Sequence, residues 1–215
     1  MRSLPFRTPS EQAAAAGPAI DHLRAGGLIA YPTETVYGFG AALVDSALDR
    51  LAEFKGDRAE KSFLLIVGER AHAPGLHWTP AAEKLAGCFW PGPLTLALRC
   101  DSASYPARVV SAAGTVAVRW TSHQGMRRLL SRLGEPITST SANQPGLAPS
   151  LTPASVRELV TRTGLAISLL LLDGGELAPS APSTLVDCSA QVPRVLRAGA
   201  ITFDELKRCV HDIQA

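Results

Sequence analysis

The sequence predicts an α/β fold in which helices pack on a mixed sheet. Short runs rich in Val, Ile and Leu alternate with helix-like segments, and this alternation is typical of that class. The chain has 215 residues, of which 46% are hydrophobic and 19% are charged. A domain of that size buries roughly 70% of its unfolded surface, so it needs no metal or disulfide to form a core. We therefore expect a single domain over residues 1–215.

Eight apolar runs are predicted as strands, which is more than a small open dinucleotide-binding half contains. In chain order the predicted strands cover residues 28–31, 63–67, 94–98, 116–119, 137–140, 166–172, 184–187 and 194–196. Helices are predicted where a capping residue agrees with the apolar periodicity. Each cap contributes about 1 kcal/mol, so a cap marks a boundary and does not decide the fold. The predicted helices follow Ser46, Thr79, Thr152 and Thr202, and two more cover residues 18–25 and 124–133.

Polar residues gather where two predicted strands end. The first strand runs into Pro-Thr-Glu-Thr at 32–35, and the fifth runs into Ser-Ala-Asn-Gln-Pro-Gly at 141–146. Ligands of sheet-based α/β folds tend to bind at such ends. For either segment alone, ordinary turn chemistry is the alternative explanation. The polar candidates are Thr33, Thr35, Ser139, Thr140, Ser141 and Asn143, and glycines that would allow a ligand to approach closely are Gly38, Gly40 and Gly146.

Cationic side chains stand beside several predicted strands. If they converge, they form an anion site, because guanidinium groups pair with phosphate or carboxylate oxygens through two parallel bonds. Taken separately, each fits a solvated surface charge better than an anion site. The cations are Lys55, Arg58 and Lys61 before the second strand, Arg119 at the end of the fourth, and Arg197 at the end of the eighth.

Composition and motifs exclude several classes of protein. No apolar stretch reaches the ~18–20 residues of a membrane span, and the N-terminus lacks a secretory signal, so we expect a cytoplasmic protein without membrane contact. A net charge of +2 with 6% aromatic residues suits a base-stacking RNA surface poorly. Neither a P-loop, a complete dinucleotide fingerprint nor a Gly-x-Ser-x-Gly elbow occurs. The four scattered cysteines lack zinc-ligand spacing, so we predict buried thiols and no structural metal.

Eight longer segments follow one another along most of the chain. They are YPTETVYGFGA (31–41), the lysine of FKGDRAEKSFLLIV (54–67), FWPGPLTLAL (89–98), VAVRWTSH (116–123), ITSTSANQPG (137–146), LLDGG (171–175), STLVD (183–187) and VLRAGAI (195–201). Together they resemble the YrdC-like threonylcarbamoyl-AMP synthase family, from about Ala19 to Ile201. The resemblance implies a twisted mixed sheet around a large concave cavity. The given sequence ends shortly after the last of these segments, and we therefore expect no C-terminal extension domain.

The resemblance implies a reaction and the residues that perform it. The chain would make threonylcarbamoyl-AMP and pyrophosphate from L-threonine, bicarbonate and ATP, with Mg²⁺ carried by ATP. A partner transferase complex would then modify tRNA. Carried over residue by residue, the catalytic group is Lys55 with Arg58, and the substrate- and ATP-binding residues are Thr33, Thr35, Arg119, Ser139, Ser141, Asn143, Ser183 and Arg197.

This chain departs from the family pattern at two places. The family usually has Lys-x-Arg, whereas Asp57 stands in the arginine position here and Arg58 follows it. We nominate Arg58, because a long side chain on a glycine-containing loop can absorb a shift of ~3.8 Å. Thr121 stands where the family commonly has proline, and we expect this to alter a turn rather than the chemistry.

Two other functions stay open at this point. A non-catalytic RNA-binding or ribosome-associated protein of the same fold would explain the Asp57–Arg58 departure and the slightly basic charge. Its RNA binding would be weak and sensitive to salt. A carbamoyltransfer enzyme that uses carbamoyl phosphate would need the same kind of anion site.

Overall fold

The computed structural model describes residues 1–56, 62–101, 104–144, 146–163 and 168–215. Within these ranges, eleven strands form one mixed sheet in the order β1-β9-β2-β3-β8-β4-β7-β6-β10-β11, with β5 paired to β6. The strands are β1 (Arg2–Pro5), β2 (Leu28–Pro32), β3 (Tyr37–Gly40), β4 (Leu64–Val67), β5 (Leu76–His77), β6 (Leu94–Cys100), β7 (Thr115–Trp120), β8 (Ile137–Ser141), β9 (Leu169–Asp173), β10 (Thr184–Asp187) and β11 (Arg194–Arg197).

Strand β8 connects the two halves of the sheet. It pairs antiparallel with β3 on one side, where Gly38 lies opposite Ser141, and antiparallel with β4 on the other, where Leu64 lies opposite Ser139. Parallel pairs flank this centre on both sides: β2 with β9 in one half, and β4 with β7 in the other. By these pairings β2 and β8 run in one direction and β4 and β7 run in the other, so the strand direction changes at the centre of the sheet.

Helices cover the sheet through stripes of apolar residues. In the fourth helix, Met126, Leu129, Leu130 and Leu133 recur at helical spacing and all are buried. Full burial of one such leucine contributes roughly 1.5–3 kcal/mol. The helices are α1 (Pro9–Arg24), α2 (Asp45–Phe54), α3 (Pro80–Phe89), α4 (Gln124–Leu133), α5 (Pro153–Thr163) and α6 (Phe203–Cys209). None of the helices in the described ranges is long and apolar enough to cross a bilayer.

The helix starts agree with the predicted caps except in two places. Thr79 and Thr202 accept hydrogen bonds from backbone N–H groups of α3 and α6, as predicted. The Ser46 cap is wrong, because α2 begins one residue earlier and its N-cap, Val44, has no capping side chain. The first helix is also longer than predicted, since Thr8 forms a capping box with Glu11 and an alanine-rich run then carries the helix through Pro18.

All eight predicted strands overlap an observed strand, although residues 166 and 167 of the sixth lie outside the described residues. Three observed strands, β1, β3 and β5, were not predicted. Strand β3 has the sequence Tyr-Gly-Phe-Gly, in which glycine disfavours a strand assignment. Strands β1 and β5 have four and two residues, too short for a period to be visible. That residues 1–215 form a single domain stays a prediction.

The cysteines differ from the prediction of buried thiols. A disulfide joins Cys88 in α3 to Cys209 in α6, and Cys88 is exposed. The prediction is wrong for this pair because α3 and α6 pack against each other and bring together two residues that are 121 positions apart. Cys188 is a buried free thiol and Cys100 a half-buried one.

Candidate functional site

A cavity of about 800 Å³ opens over the centre of the sheet. Its walls come from the β2–β3 turn, the end of α2, strands β6, β7 and β8, the loop after β8, and the β10–β11 pair. Arg58, the tenth predicted site residue, lies outside the described residues, as do Asp57 and Lys61. The other nine predicted residues line the cavity: Thr33, Thr35, Lys55, Arg119, Ser139, Ser141, Asn143, Ser183 and Arg197.

The cavity wall carries positive charge. Lys55, Arg108, Arg119 and Arg197 line it, and the described lining residues include no Asp or Glu. Arg108 was not predicted; it lies within a short helical turn, Ala107–Val109, outside the strands, and its Nε donates to Oδ1 of Asp49 at 2.7 Å. Cations gathered in a concave, poorly hydrated site attract anions more strongly than the same charges on a flat surface.

Lys55 is held at the C-terminal end of α2 by oxygens of the loop after β8. Its Nζ donates to the backbone oxygens of Ser141 and Asn143 at 2.9 and 2.6 Å, and to Oδ1 of Asn143 at 3.1 Å. The Ser141 hydroxyl donates to the same Oδ1 at 2.6 Å, and Nδ2 of Asn143 donates to the Leu147 oxygen at 2.7 Å. A lysine at a helix C-terminus also interacts favourably with the helix dipole. Ser141 and Asn143 thus fix the position of the ammonium group.

Arg119 lies deeper, with its side chain 7% exposed. Its Nη2 lies 2.9 Å from Oε1 of Glu34 and donates to Oγ1 of Thr35 at 3.3 Å. Oγ1 of Thr35 lies 3.0 Å from that of Thr33, whose Oγ1 donates to the Val36 oxygen at 2.7 Å. Arg119 is therefore tied to the turn between β2 and β3.

Arg197 occupies the other side of the cavity and keeps an exposed face. Its Nη2 donates to the backbone oxygen and Oγ of Ser183 at 2.9 and 3.1 Å, and Oγ of Ser183 lies 2.8 Å from Oγ1 of Thr95. Partial burial lowers the pKa of Arg197, and the nearby Arg119 cation lowers it further. Two guanidinium groups that repel each other across a cavity favour an anion between them.

The glycines of β3 have a structural role that differs from the predicted one. A Cβ at Gly40 would lie 2.7 Å from the Thr138 backbone oxygen, and one at Gly38 would lie 3.3 Å from Cζ of Tyr31. These glycines therefore let β3 pack closely against β2 and β8. Gly38 also lines the cavity, as does Gly146, whose φ is +82°.

Within the described ranges, no group of three or more His, Cys, Asp or Glu side chains could hold a metal ion. The cavity lining also offers no carboxylate there, and carboxylates are the protein ligands that Mg²⁺ usually takes. The residues present fit an anionic ligand and do not themselves form a Mg²⁺ site.

Besides Arg108, Glu34 and Thr95 also belong to the site and were not predicted. Glu34 lies between Thr33 and Thr35 in the same segment, but neither composition nor periodicity shows that a glutamate will pair with an arginine 85 positions later. Thr95 lies in an apolar strand and carries no polar pattern. Its hydroxyl partner, Ser183, follows from β10 pairing with β6, which only the sheet order reveals.

Known proteins are similar to this chain in sequence and in fold. A family model described as "Telomere recombination", Sua5/YciO/YrdC, matches residues 21–199. The threonylcarbamoyl-AMP synthase of Pyrococcus abyssi is 35% identical over 199 residues, or 91% of this chain and 57% of that protein. The one of Thiobacillus denitrificans is 36% identical over 180 residues, or 82% of this chain and 92% of that protein.

A solved structure described as P. abyssi Sua5 complexed with L-threonine superposes with a TM-score of 0.87. It is 31% identical, and the match covers 100% of this chain and 62% of that one. The chain therefore spans little more than half the length of its P. abyssi relative.

Proposed function

The chain belongs to the Sua5/YciO/YrdC family, and on that premise we propose that it is a threonylcarbamoyl-AMP synthase. It would join L-threonine, bicarbonate and ATP into threonylcarbamoyl-AMP and release pyrophosphate, which makes it a nucleotidyltransferase. The observation that carries this proposal is the single cavity lined by four cations and, among the described residues, by no acidic side chain. The threonine complex of the P. abyssi relative supports L-threonine as one ligand.

The proposed reaction forces negative groups together. The threonine amine forms an N–C bond to the carbon of bicarbonate or CO₂, which gives a carbamate. With bicarbonate a C–O bond breaks and the hydroxyl leaves as water with the amine proton, and with CO₂ that proton is released to solvent. A carbamate oxygen then attacks the α-phosphorus, and the bond from that phosphorus to the bridging oxygen of pyrophosphate breaks. Repulsion between the carbamate and the triphosphate opposes the approach, so fixed cations and dipoles must stabilise the charge that builds up. Positioning the three reactants in one cavity lowers the activation free energy further, by up to ~7–11 kcal/mol in well-oriented systems.

We assign roles to the cavity residues within this reaction. Lys55, held by Ser141 and Asn143, would neutralise the carbamate as it approaches the α-phosphorus. The family resemblance is the basis for assigning Arg58 to the same step. Thr33, Thr35 and Ser139 would accept and donate hydrogen bonds at the amino-acid end of the cavity. A binding site that pairs the threonine hydroxyl disfavours apolar analogues, because an unpaired buried group costs about 1–3 kcal/mol.

The arginines suit the nucleotide end of the cavity. Arg119 and Ser183 would bind the phosphates, and Arg197 would bind the adenylate. Mg²⁺ would arrive bound to the triphosphate, and we derive no step through it, since the described lining lacks carboxylate ligands. The product would pass to a transferase complex that modifies tRNA.

Pyrophosphate release by the purified protein tests the proposal. We expect release only when ATP, L-threonine and bicarbonate are all present, with threonylcarbamoyl-AMP as the second product. Lys55→Ala should abolish release while the circular dichroism spectrum stays unchanged, and Lys84→Ala on the exposed face of α3 is the matched control.

Other outcomes would contradict the proposal. Release that does not depend on threonine would oppose it, and turnover that requires carbamoyl phosphate would favour carbamoyl transfer. Salt-sensitive binding of RNA without any adenylate product would favour the RNA-binding alternative.

A further inference from the structure

Glu34 is a buried acid among the cations of the site, and the proposed chemistry gives it no task. It lies in the turn between β2 and β3, and its side chain is 17% exposed. It is not among the residues that line the cavity, whereas its ion-pair partner Arg119 is. A carboxylate beside an anion site repels the ligand, so its presence requires a physical reason.

The carboxylate of Glu34 is anchored by the segment that follows β7. Oε2 accepts a hydrogen bond from the Thr121 hydroxyl at 2.5 Å, and Oε1 accepts one from the Ser122 backbone N–H at 3.1 Å. Thr121 is fully buried, and its Oγ1 also accepts from the His123 backbone N–H at 3.1 Å. The Thr121 hydroxyl thus connects the carboxylate of Glu34 to the backbone that leads into α4.

The anchored carboxylate in turn determines where the guanidinium of Arg119 lies. Glu34 Oε1 is 2.9 Å from Nη2, and the other described contact of that nitrogen is the hydrogen bond to Thr35. Nε of Arg119 is buried and lacks a hydrogen-bond partner among the described residues. Because Nε is buried, an anion in the cavity would meet other atoms of the Arg119 guanidinium, and the direction in which they point depends on this rotamer.

Repulsion within the cavity makes such a restraint necessary. Burial lowers the pKa of Arg197, and repulsion from the Arg119 cation, which lines the same cavity, lowers it further. Without the contact to Oε1 of Glu34, Arg119 would relax away from Arg197 along its flexible side chain. The anchored oxygen of Glu34 keeps the guanidinium in place, and its negative charge weakens the attraction of the site for an anionic ligand.

We propose that Glu34 is a positioning residue: held by Thr121 and Ser122, it orients the guanidinium of Arg119 toward an anionic oxygen of the substrate. The identity of that substrate as a nucleotide phosphate rests on the proposed function. The orientation of Arg119 does not rest on it, because it follows from the contacts of Arg119 and Glu34 with each other and with Thr121.

Two substitutions of Glu34 distinguish the effect of where its side-chain oxygen lies from the effect of its negative charge. Glu34→Gln keeps the length of the side chain: its amide oxygen can stay at the place of Oε1, and its nitrogen can donate to the Thr121 hydroxyl oxygen. Glu34→Asp keeps the charge but withdraws it by about 1.5 Å, which opens the contact with Arg119. A positioning role therefore predicts that the glutamine variant resembles the wild type more closely than the aspartate variant does.

The first readout is the NMR signal of the Arg119 Nε–H in the protein without ligand, assigned by its absence in Arg119→Lys. Because the atom is buried, the wild type should show a narrow, slowly exchanging signal. We expect Glu34→Gln to retain it, and Glu34→Asp and Glu34→Ala to lose it. This readout does not depend on ATP or threonine, so it stays valid if the proposed function is wrong.

The second readout is the dissociation constant for inorganic pyrophosphate, measured by calorimetry. Glu34→Gln should bind within about threefold of the wild type, while Glu34→Asp and Glu34→Ala should bind about tenfold or more weakly. The proposal is overturned if Glu34→Asp or Glu34→Ala keeps the wild-type signal and affinity, or if Glu34→Gln loses as much as Glu34→Ala. A wild type that shows the Arg119 signal but binds no pyrophosphate would oppose the proposed function and leave the positioning role supported.

Discussion

Lys55 and Asn143 meet at the cavity although 88 positions separate them in the sequence, with Nζ of Lys55 2.6 Å from the backbone oxygen of Asn143 and 3.1 Å from its Oδ1. The contact joins the end of α2 to the loop after β8. An ammonium group that is already hydrogen-bonded in one place loses little freedom when a substrate arrives. Asn143 therefore acts on the proposed reaction through Lys55.

We predict that Asn143→Ala lowers turnover by about one to two orders of magnitude, with a smaller change in the Michaelis constants. The substitution removes an acceptor from Lys55 and the partner of the Ser141 hydroxyl, but keeps the lysine charge. Steady-state pyrophosphate release measures the effect, with Gln144→Ala as the neighbouring control. An unchanged rate for Asn143→Ala would show that the backbone oxygens alone suffice to hold Lys55.

Arg197→Lys should raise the Michaelis constant for ATP about tenfold and change turnover less. The guanidinium reaches Ser183 through both Nε and Nη2, and a lysine ammonium cannot reproduce that fork. Arg194→Lys, on the exposed part of the same strand, is the matched control. If both lysine variants behave like the wild type, Arg197 does not bind the nucleotide.

Stability should fall as the pH drops below about 6.5, through His123. Burial lowers the pKa of His123 while the Glu34 carboxylate opposes the shift, and Nδ1 must be unprotonated to accept from the Met126 N–H that it caps. The folded-state pKa lies below the unfolded value, so the contribution is complete above the unfolded pKa and is lost as the pH falls.

Glu34 should also lower the stability of the protein as the pH falls, but at lower pH than His123 does. Burial alone would raise its pKa, but Arg119 and the hydrogen bonds from Thr121 and Ser122 outweigh burial and lower it. Thermal unfolding from pH 8 to pH 4 measures both effects. His123→Asn, which retains a capping side chain, should flatten the upper part of the profile. A profile that is identical in this variant would contradict the role of His123.

The Cys88–Cys209 disulfide should contribute up to ~4–5 kcal/mol to the free energy of unfolding, because it closes a long loop in the unfolded chain. Cys209→Ser and the reduced wild type should have similar, lower unfolding temperatures, and a reductant should not lower that of the variant further. Equal unfolding temperatures for the oxidised wild type and the variant would show that the bond does not form in solution.

Strands with an apolar run of four or more residues could be predicted from the sequence, since period and β-branched content suffice there. Strand β3 could not be, because its glycines serve the contact with Thr138 and Tyr31, which depends on the neighbouring strands. The start of α1 was not predicted, because proline is typical of the first turn of a helix and the predicted helix therefore begins at Pro18. The observed capping box lies at Thr8.

Most of the candidate site could be named from the sequence only because whole segments resemble a family. Composition alone does not distinguish a cation of the site from a solvated surface charge. The pairing of Glu34 with Arg119, and the approach of Arg108 to the cavity, depend on which strands lie side by side, and that order is a property of the folded chain.

The register of β8 with its two neighbouring strands determines where the oxygens that hold Lys55 lie. Opposite Gly38 stands Ser141, and opposite Leu64 stands Ser139, so a shift of one residue would bring Thr138 and Thr140 to those places and carry the oxygens that hold Lys55 away from it. An insertion or deletion between α4 and β8 that shifted the strand would therefore displace the buried Ile137 together with the oxygens that hold Lys55. The length of that short connection, at residues 134–136, limits which sequence changes an active descendant can accumulate.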